Sequence, residues 1–268
     1  MKKPANKNQK FIENFFIKKG LKLLVDLSKK KKLSVNQMSV KEPYIPQLND
    51  LYNLYQYILI NKRTTILEFG SGWSTLIFSL ALNELSNKFS DEVKKLRRNN
   101  PFQLFVVENE KKYLNITKKR ILKFYKHLKI KKPIKIKYIL SDVEMTTFEN
   151  KICTQYKRLP LCNPDFIYLD GPDQFKVKKD INGISTRHKD MMPMVCDVLK
   201  FEHFLTPGTL IVTDGRTANA RFLKSNFQRN WKHVHLKSID QHYFYLNEKP
   251  LGKWNEEQLK FYNKKSGK

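Results

Sequence analysis

Thr64-Thr65-Ile66-Leu67-Glu68-Phe69-Gly70-Ser71-Gly72-Trp73-Ser74-Thr75 is the stretch on which the reading of this chain turns. A short β-branched and apolar run reaches an acid, breaks at two glycines one residue apart, and resumes as the helical apolar pattern Leu76, Ile77, Leu80 and Ala81. That order reads as strand, tight turn, helix. Lacking a Cβ, Gly70 and Gly72 let the backbone bend and let a ligand lie against it, while Ser74 or Thr75 can cap the first amides of the new helix. The turn is a seat of nucleotide size. Glu68 stands at the strand end, where it can hold an amino or hydroxyl group and would repel a phosphate.

Working outward, further apolar runs also close on acids. Residues 102–107 end in Glu108-Asn109, 134–140 in Ser141-Asp142, 165–169 in Asp170-Gly171-Pro172, and 208–213 in Asp214-Gly215-Arg216. Ligands of an open α/β sheet gather at the carboxyl ends of its strands, and a carboxylate there can accept both hydroxyls of a ribose. Between these runs lie helical patterns at 48–60, from Trp73 to about Leu85, and along a lysine-rich segment that begins at Lys111. Residues 231–239 and 243–247 read as a closing pair of strands. The alternation predicts an α/β fold: a Rossmann-like, doubly wound, mostly parallel sheet of about seven strands with a terminal antiparallel hairpin. Three segments are expected: a basic helical appendage over 1–45, the main domain over 46–250, and a tail over 251–268.

The chain is long enough for one large α/β domain but cramped for two, at 268 residues. Cys153, Cys162 and Cys196 form no Cys-x-x-Cys pair and no metal-ligand spacing with the scattered histidines, which predicts free thiols in a reducing, cytoplasmic compartment. No apolar run reaches the length of a membrane span, and the first residues lack the apolar core of a signal peptide. The net charge of +27 invites a nucleic-acid reading, yet 43 of the basic residues are lysine and only 9 are arginine, the side chain on which phosphate and base recognition usually draws. From Lys111 to Lys137 there is no acid, and Leu114, Ile121, Tyr125 and Leu128 give that helix its apolar stripe, so its lysines are expected to form a solvated outer face.

The acid, followed two residues later by Gly-x-Gly-x-Ser, resembles motif I of the class I S-adenosylmethionine-dependent methyltransferases, small-molecule O-methyltransferases in particular. A dinucleotide fingerprint would place a third glycine near Thr75, and none is there. The resemblance covers about residues 46–250. It implies S-adenosylmethionine as cofactor, held by Glu68, Gly70, Ser71, Gly72 and Ser74, with Glu108 and Asn109 at the ribose and Asp142 at the adenine amino group. It also implies that Asp170 faces the reaction centre with Asp214 beside it. Catechol-type members bind magnesium on two such aspartates, usually with Asn after the second; Gly215 stands there instead, so no metal ligand is assigned. Residues 175–205 are too long and polar for a plain crossover and are expected to select the substrate, with Arg187 holding an anion and His188 serving as a base. The acceptor expected is a small polar molecule bearing a hydroxyl. A nucleic-acid methyltransferase and a non-enzymatic binding protein on the same fold are the rivals, and a nicotinamide oxidoreductase is the third.

Overall fold

Seven strands form one sheet in the computed structural model, which describes residues 1–30 and 44–264. The strands are β1 (Thr65–Phe69), β2 (Gln103–Glu108), β3 (Lys135–Leu140), β6 (Phe166–Leu169), β8 (Leu210–Asp214), β9 (Trp231–Leu236) and β10 (Gln241–Leu246). Their order is β3-β2-β1-β6-β8-β10-β9, with the first five parallel and β10 antiparallel to both neighbours. This is the Rossmann-like sheet with a terminal hairpin that the sequence predicts. Chain direction across the sheet reverses between β1 and β6, which opens a crevice above their carboxyl ends.

Alternate side chains of each buried strand feed two cores. Ile66, Leu104, Val106, Phe166, Tyr168, Leu210 and Val212 pack against α3 (Leu48–Ile60), α4 (Trp73–Lys94) and α5 (Lys111–His127). Leu67, Phe69, Phe105, Val107, Ile167, Leu169 and Ile211 face the other way, onto α6 (Asp197–Lys200), α7 (Thr217–Asn226) and a second sheet. That second sheet was not expected. It has the order β5-β4-β7, built from β4 (Val143–Phe148), β5 (Lys151–Tyr156) and β7 (Val177–Lys178). Glu149 and Asn150 join β4 to β5 with φ of 46° and 62°, the left-handed pair that a two-residue hairpin loop demands.

Two other expectations are corrected. The helix after the glycine turn continues to Lys94, because Leu85, Phe89 and Val93 prolong its apolar stripe. The helical appendage expected at the N-terminus begins with two helices, α1 (Gln9–Lys18) and α2 (Lys22–Ser28), broken at Gly20 with φ +76°. Ile12, Phe16, Leu24 and Val25 join the main core, so the appendage packs onto the domain. Residues 31–43, where the rest of that segment and part of its lysine run fall, lie outside the described residues.

Residues 251–264, expected as tail, contain α8 (Lys253–Asn263), whose Phe261 and Tyr262 are buried. Asp165, at the amino end of β6 and 1% exposed, anchors it. Its carboxylate accepts from Thr64 N, Thr65 N, Thr64 Oγ1 and Tyr262 Oη at 2.8–3.0 Å, with Arg98 at 3.4 Å. One buried charge thus ties β1, β6 and the last helix together, away from the strand ends that face ligand.

Candidate active site

Above the carboxyl ends of β1, β2, β6 and β8 lies a cavity of 590 Å³. Its floor begins at the glycine turn. Gly70 takes φ +97°, and its N–H donates to Val107 O at 2.8 Å, so the turn is bonded to β2 as it leaves β1. The loop after β6 comes in against it. A Cβ on Gly171 would stand 2.7 Å from Gly70 N and 2.4 Å from Tyr156 Oη, so both glycines are required for the two loops to meet. Gly72 is different: a Cβ there would meet nothing closer than Ser74 Oγ at 4.0 Å, because the residue faces open space in the cavity. Thr75 Oγ1 accepts from Gly72 N at 3.0 Å and starts α4.

Two buried acids lie behind this turn. Glu68 is fully buried; its Oε1 accepts from Ser74 Oγ at 2.5 Å, and its Oε2 has no hydrogen-bond partner among the described residues. It sits beneath the cavity surface rather than on it. Burial pushes its pKa up to about 8, against the pull of the Ser74 and Thr75 hydroxyls and with a push from Asp170 and Glu108. Glu108 does line the cavity while remaining 3% exposed. Its Oε1 accepts from Asn109 N at 2.8 Å and Glu110 N at 2.9 Å, and its Oε2 from Ser71 Oγ at 2.7 Å. Burial outweighs these bonds and lifts its pKa to about 7.

Opposite them stand Asp170 and Asp214, from neighbouring parallel strands. Asp170 N donates to Phe69 O at 3.0 Å, which fixes the backbone, and the carboxylate opens onto the cavity. Desolvation at the cavity base raises its pKa, opposed by Arg216, whose Nε stands 3.7 Å from Oδ1. The same guanidinium donates to Asp170 O at 2.6 Å and to Pro172 O, holding the Asp-Gly-Pro turn in place. Asp214 accepts from Tyr168 Oη at 3.2 Å; burial, then the charges of Asp50 and Asp170, push its pKa up to about 8.

The walls come from places where the sequence had signalled nothing. Residues 44–47 and the first turns of α3 contribute Asp50, Leu51 and Leu54, and Trp73 Nε1 donates to Tyr44 O at 3.0 Å. From α5 come Tyr113, Ile116, Thr117 and Arg120, at helical spacing on one face. The Arg120 guanidinium lies 3.8 Å from the Trp73 ring centroid, and burial pulls its pKa down to about 10. It belongs to the cavity and not to the lysine face of that helix. Spacing alone carried the clue: 113, 117 and 120 share a face.

Other expected site residues are elsewhere. Asp142 is exposed and paired with Lys178 at 2.8 Å, outside the cavity, because β4 begins immediately after it and carries the chain away. Asn109 exchanges bonds with the backbone of Asp173, at 2.9 and 3.2 Å, and so braces the 171–175 loop rather than lining the cavity. His188 is exposed and also outside; its Nδ1 accepts from Asp190 N at 3.2 Å and its carbonyl from Gln174 Nε2. Arg187 faces solvent beside Asp180. From 175–205 only Phe175, Met192 and Pro193 reach the cavity, since β7 and a bridge at Val195 draw the rest onto the second sheet.

No protein family model matches the chain, and no curated protein does. Among solved structures it is similar to an SAH-bound methyltransferase of Podospora anserina, with 12% identity over 92% of this chain and 100% of that one and a TM-score of 0.43. It is also similar to an O-methyltransferase of Bacillus cereus in complex with SAH, with 12% identity over 90% of this chain and 92% of that one and a TM-score of 0.38. Likeness at this level assigns no residue, and the site stands on its own geometry.

Proposed function

We propose that the chain is an S-adenosylmethionine-dependent methyltransferase of class I type that acts on a hydroxyl of a small polar molecule. One observation carries this reading: the glycine turn after β1, the buried Glu108 after β2, and Asp170 and Asp214 after adjacent strands converge on a single cavity. The residues present fit the cofactor. Gly72 leaves room for a ligand to lie on the backbone, and Glu108 Oε2 accepts only from Ser71, which leaves acceptor capacity for ribose hydroxyls. Arg120 offers a cation to a carboxylate. The cavity volume is within the usual range of about 300–1,000 Å³ for small-molecule sites.

The bound cofactor supplies an electrophilic methyl on a good leaving group, so the tasks left to the protein are positioning and removal of one proton. Asp214 suits the second task, because a base works best when its pKa lies near the working pH, and Asp170 opens onto the same cavity beside it. Tyr168 Oη, donating to Asp214, orients that carboxylate. A magnesium ion on these two aspartates is not part of the proposal: Arg216 already serves Asp170, and no third acid or histidine joins the pair at ligand distance among the described residues. Among the described residues the cavity has no lysine and two arginines, one stacked on Trp73 and one bonded to Asp170, against six acids, so a nucleic-acid backbone entering it would meet more carboxyls than cations. The free cysteines fit the cytoplasmic setting included in this reading; no helix among the described residues is long and apolar enough to cross a membrane.

Native mass spectrometry of the purified protein tests the reading, with S-adenosylmethionine or S-adenosylhomocysteine expected as co-bound mass. Absence of binding by calorimetry with S-adenosylhomocysteine would overturn it.

A further inference from the structure

We propose that the β9–β10 hairpin carries a binding site for one zinc-type divalent cation, with His235, Asp240 and His242 as ligands. The idea is independent of the methyltransferase reading. Hairpin register sets the residues opposite one another: His235 pairs across the strands with His242, and Asp240 closes the turn between them in left-handed backbone, φ 44°, bonded through its carbonyl to Gly215 N at 2.9 Å. One ligand atom from each of the three lies within 4.8 Å of the others. His235 Nε2 stands 3.3 Å from Asp240 Oδ1, close to the ligand-to-ligand edge of about 3.4 Å in a tetrahedral zinc site with bonds near 2.0–2.1 Å.

His235 and His242 also stack on each other, with centroids 3.8 Å and planes 11° apart, so binding an ion requires one ring to turn. His233 lies on the same face, and its Nε2 meets His242 Nδ1 at 3.1 Å, which engages one nitrogen of His242 and turns the other, Nε2, toward Thr217 Oγ1 at 3.0 Å. That hydroxyl also reaches Asp240 Oδ1 at 3.4 Å, so it bridges the two ligands. An outer partner on the remote ring nitrogen is the usual means of fixing a metal-binding histidine. Behind them, His233 stacks on Phe244 with centroids 4.5 Å apart, which gives the group a rigid base. Asp240 and His235 are partly open to solvent, so an ion can enter. Two imidazoles and one carboxylate favour zinc and its transition-metal neighbours over magnesium. Three protein ligands would leave one of four positions free, and Asp240 is also a wall residue of the cavity.

Full-length protein, stripped with a chelator and desalted, is titrated calorimetrically with zinc chloride. The expected result is one ion per chain at submicromolar Kd. His235→Ala and Asp240→Asn, both at positions at least partly open to solvent, should each weaken binding by about 100-fold, and His233→Phe, which keeps the stack but removes the orienting bond, by about tenfold. His127→Ala, on the far side of the sheet order at α5, should change nothing. Cobalt in place of zinc should show the visible absorption of a tetrahedral site, lost in the same two variants. Binding spread over several weak sites, or unchanged affinity in both His235→Ala and Asp240→Asn, would overturn the proposal.

Discussion

Replacing Glu108 tests the cofactor seat most directly. The carboxylate is 3% exposed, spends Oε1 on two backbone amides, and has only the Ser71 hydroxyl on Oε2. A ribose hydroxyl donating to that oxygen makes a hydrogen bond to a charged group, worth about 1.5–3 kcal/mol. At about 1.4 kcal/mol per decade, Glu108→Ala should weaken S-adenosylhomocysteine binding by roughly 10- to 150-fold. The raised pKa adds a second signature. With the carboxyl titrating at about 7, the ionised fraction in the free protein rises from roughly a tenth at pH 6 to nine tenths at pH 8. Affinity should therefore increase by nearly tenfold over that interval, and Glu108→Gln should abolish the increase. Calorimetry at pH 6, 7 and 8 on the wild type and both variants, with circular dichroism to confirm folding, is the assay. Unaltered affinity in Glu108→Ala with the same pH profile as wild type would refute the reasoning.

Asp170→Asn should remove methyl transfer while keeping cofactor affinity within a few fold, whereas His188→Ala should leave turnover near wild type because the ring lies outside the cavity; a large loss in the histidine variant would return the base to that loop. Asp165→Leu should cost about 3–5 kcal/mol in urea unfolding, since it strands two amides, a tyrosine hydroxyl and Arg98 in the interior; a loss under 1 kcal/mol would show the cluster to be dispensable. Stability should fall as pH rises from 7.5 to 8.5, above the ordinary imidazole pKa of about 6.5 at which the histidines of the unfolded chain titrate. The sign comes from Glu68, Glu108 and Asp214, whose folded pKa values near 7–8 exceed their unfolded ones: each contributes stability below its unfolded pKa and loses it as pH passes through the folded value. Thermal melts of wild type and Asp214→Asn check it, with a shallower pH slope expected in the variant.

Much of the sheet was legible because its signals are local. A buried strand must be apolar along its length, and a turn that brings two loops into backbone contact must spend glycine, so 64–75 and 165–173 could be read without neighbours. The second sheet escaped because its strands are half-exposed and mix threonine, lysine and glutamate, and because the loop between them, Glu149-Asn150, lacks the glycine that usually marks a two-residue hairpin. For the same reason Asp142 looked like a strand-end acid over a ligand. After β3 the chain enters another strand at once, and the acid is carried out to Lys178.

By itself, the sequence determined the order of roles along the chain: Glu68 and then the glycine turn, followed by carboxylates at 108, 170 and 214, each at the end of an apolar run whose burial is dictated by its composition. Tertiary structure decided which of them share a cavity. Asp50, Arg120, Tyr168 and Arg216 join them from four separate elements, and their place depends on how α3 and α5 pack on the sheet, which no local pattern encodes. The three histidines of the closing hairpin make the same point. At 233, 235 and 242 they are only scattered residues in the chain, and it is the antiparallel register that sets His242 opposite His235 and the turn that brings Asp240 to both.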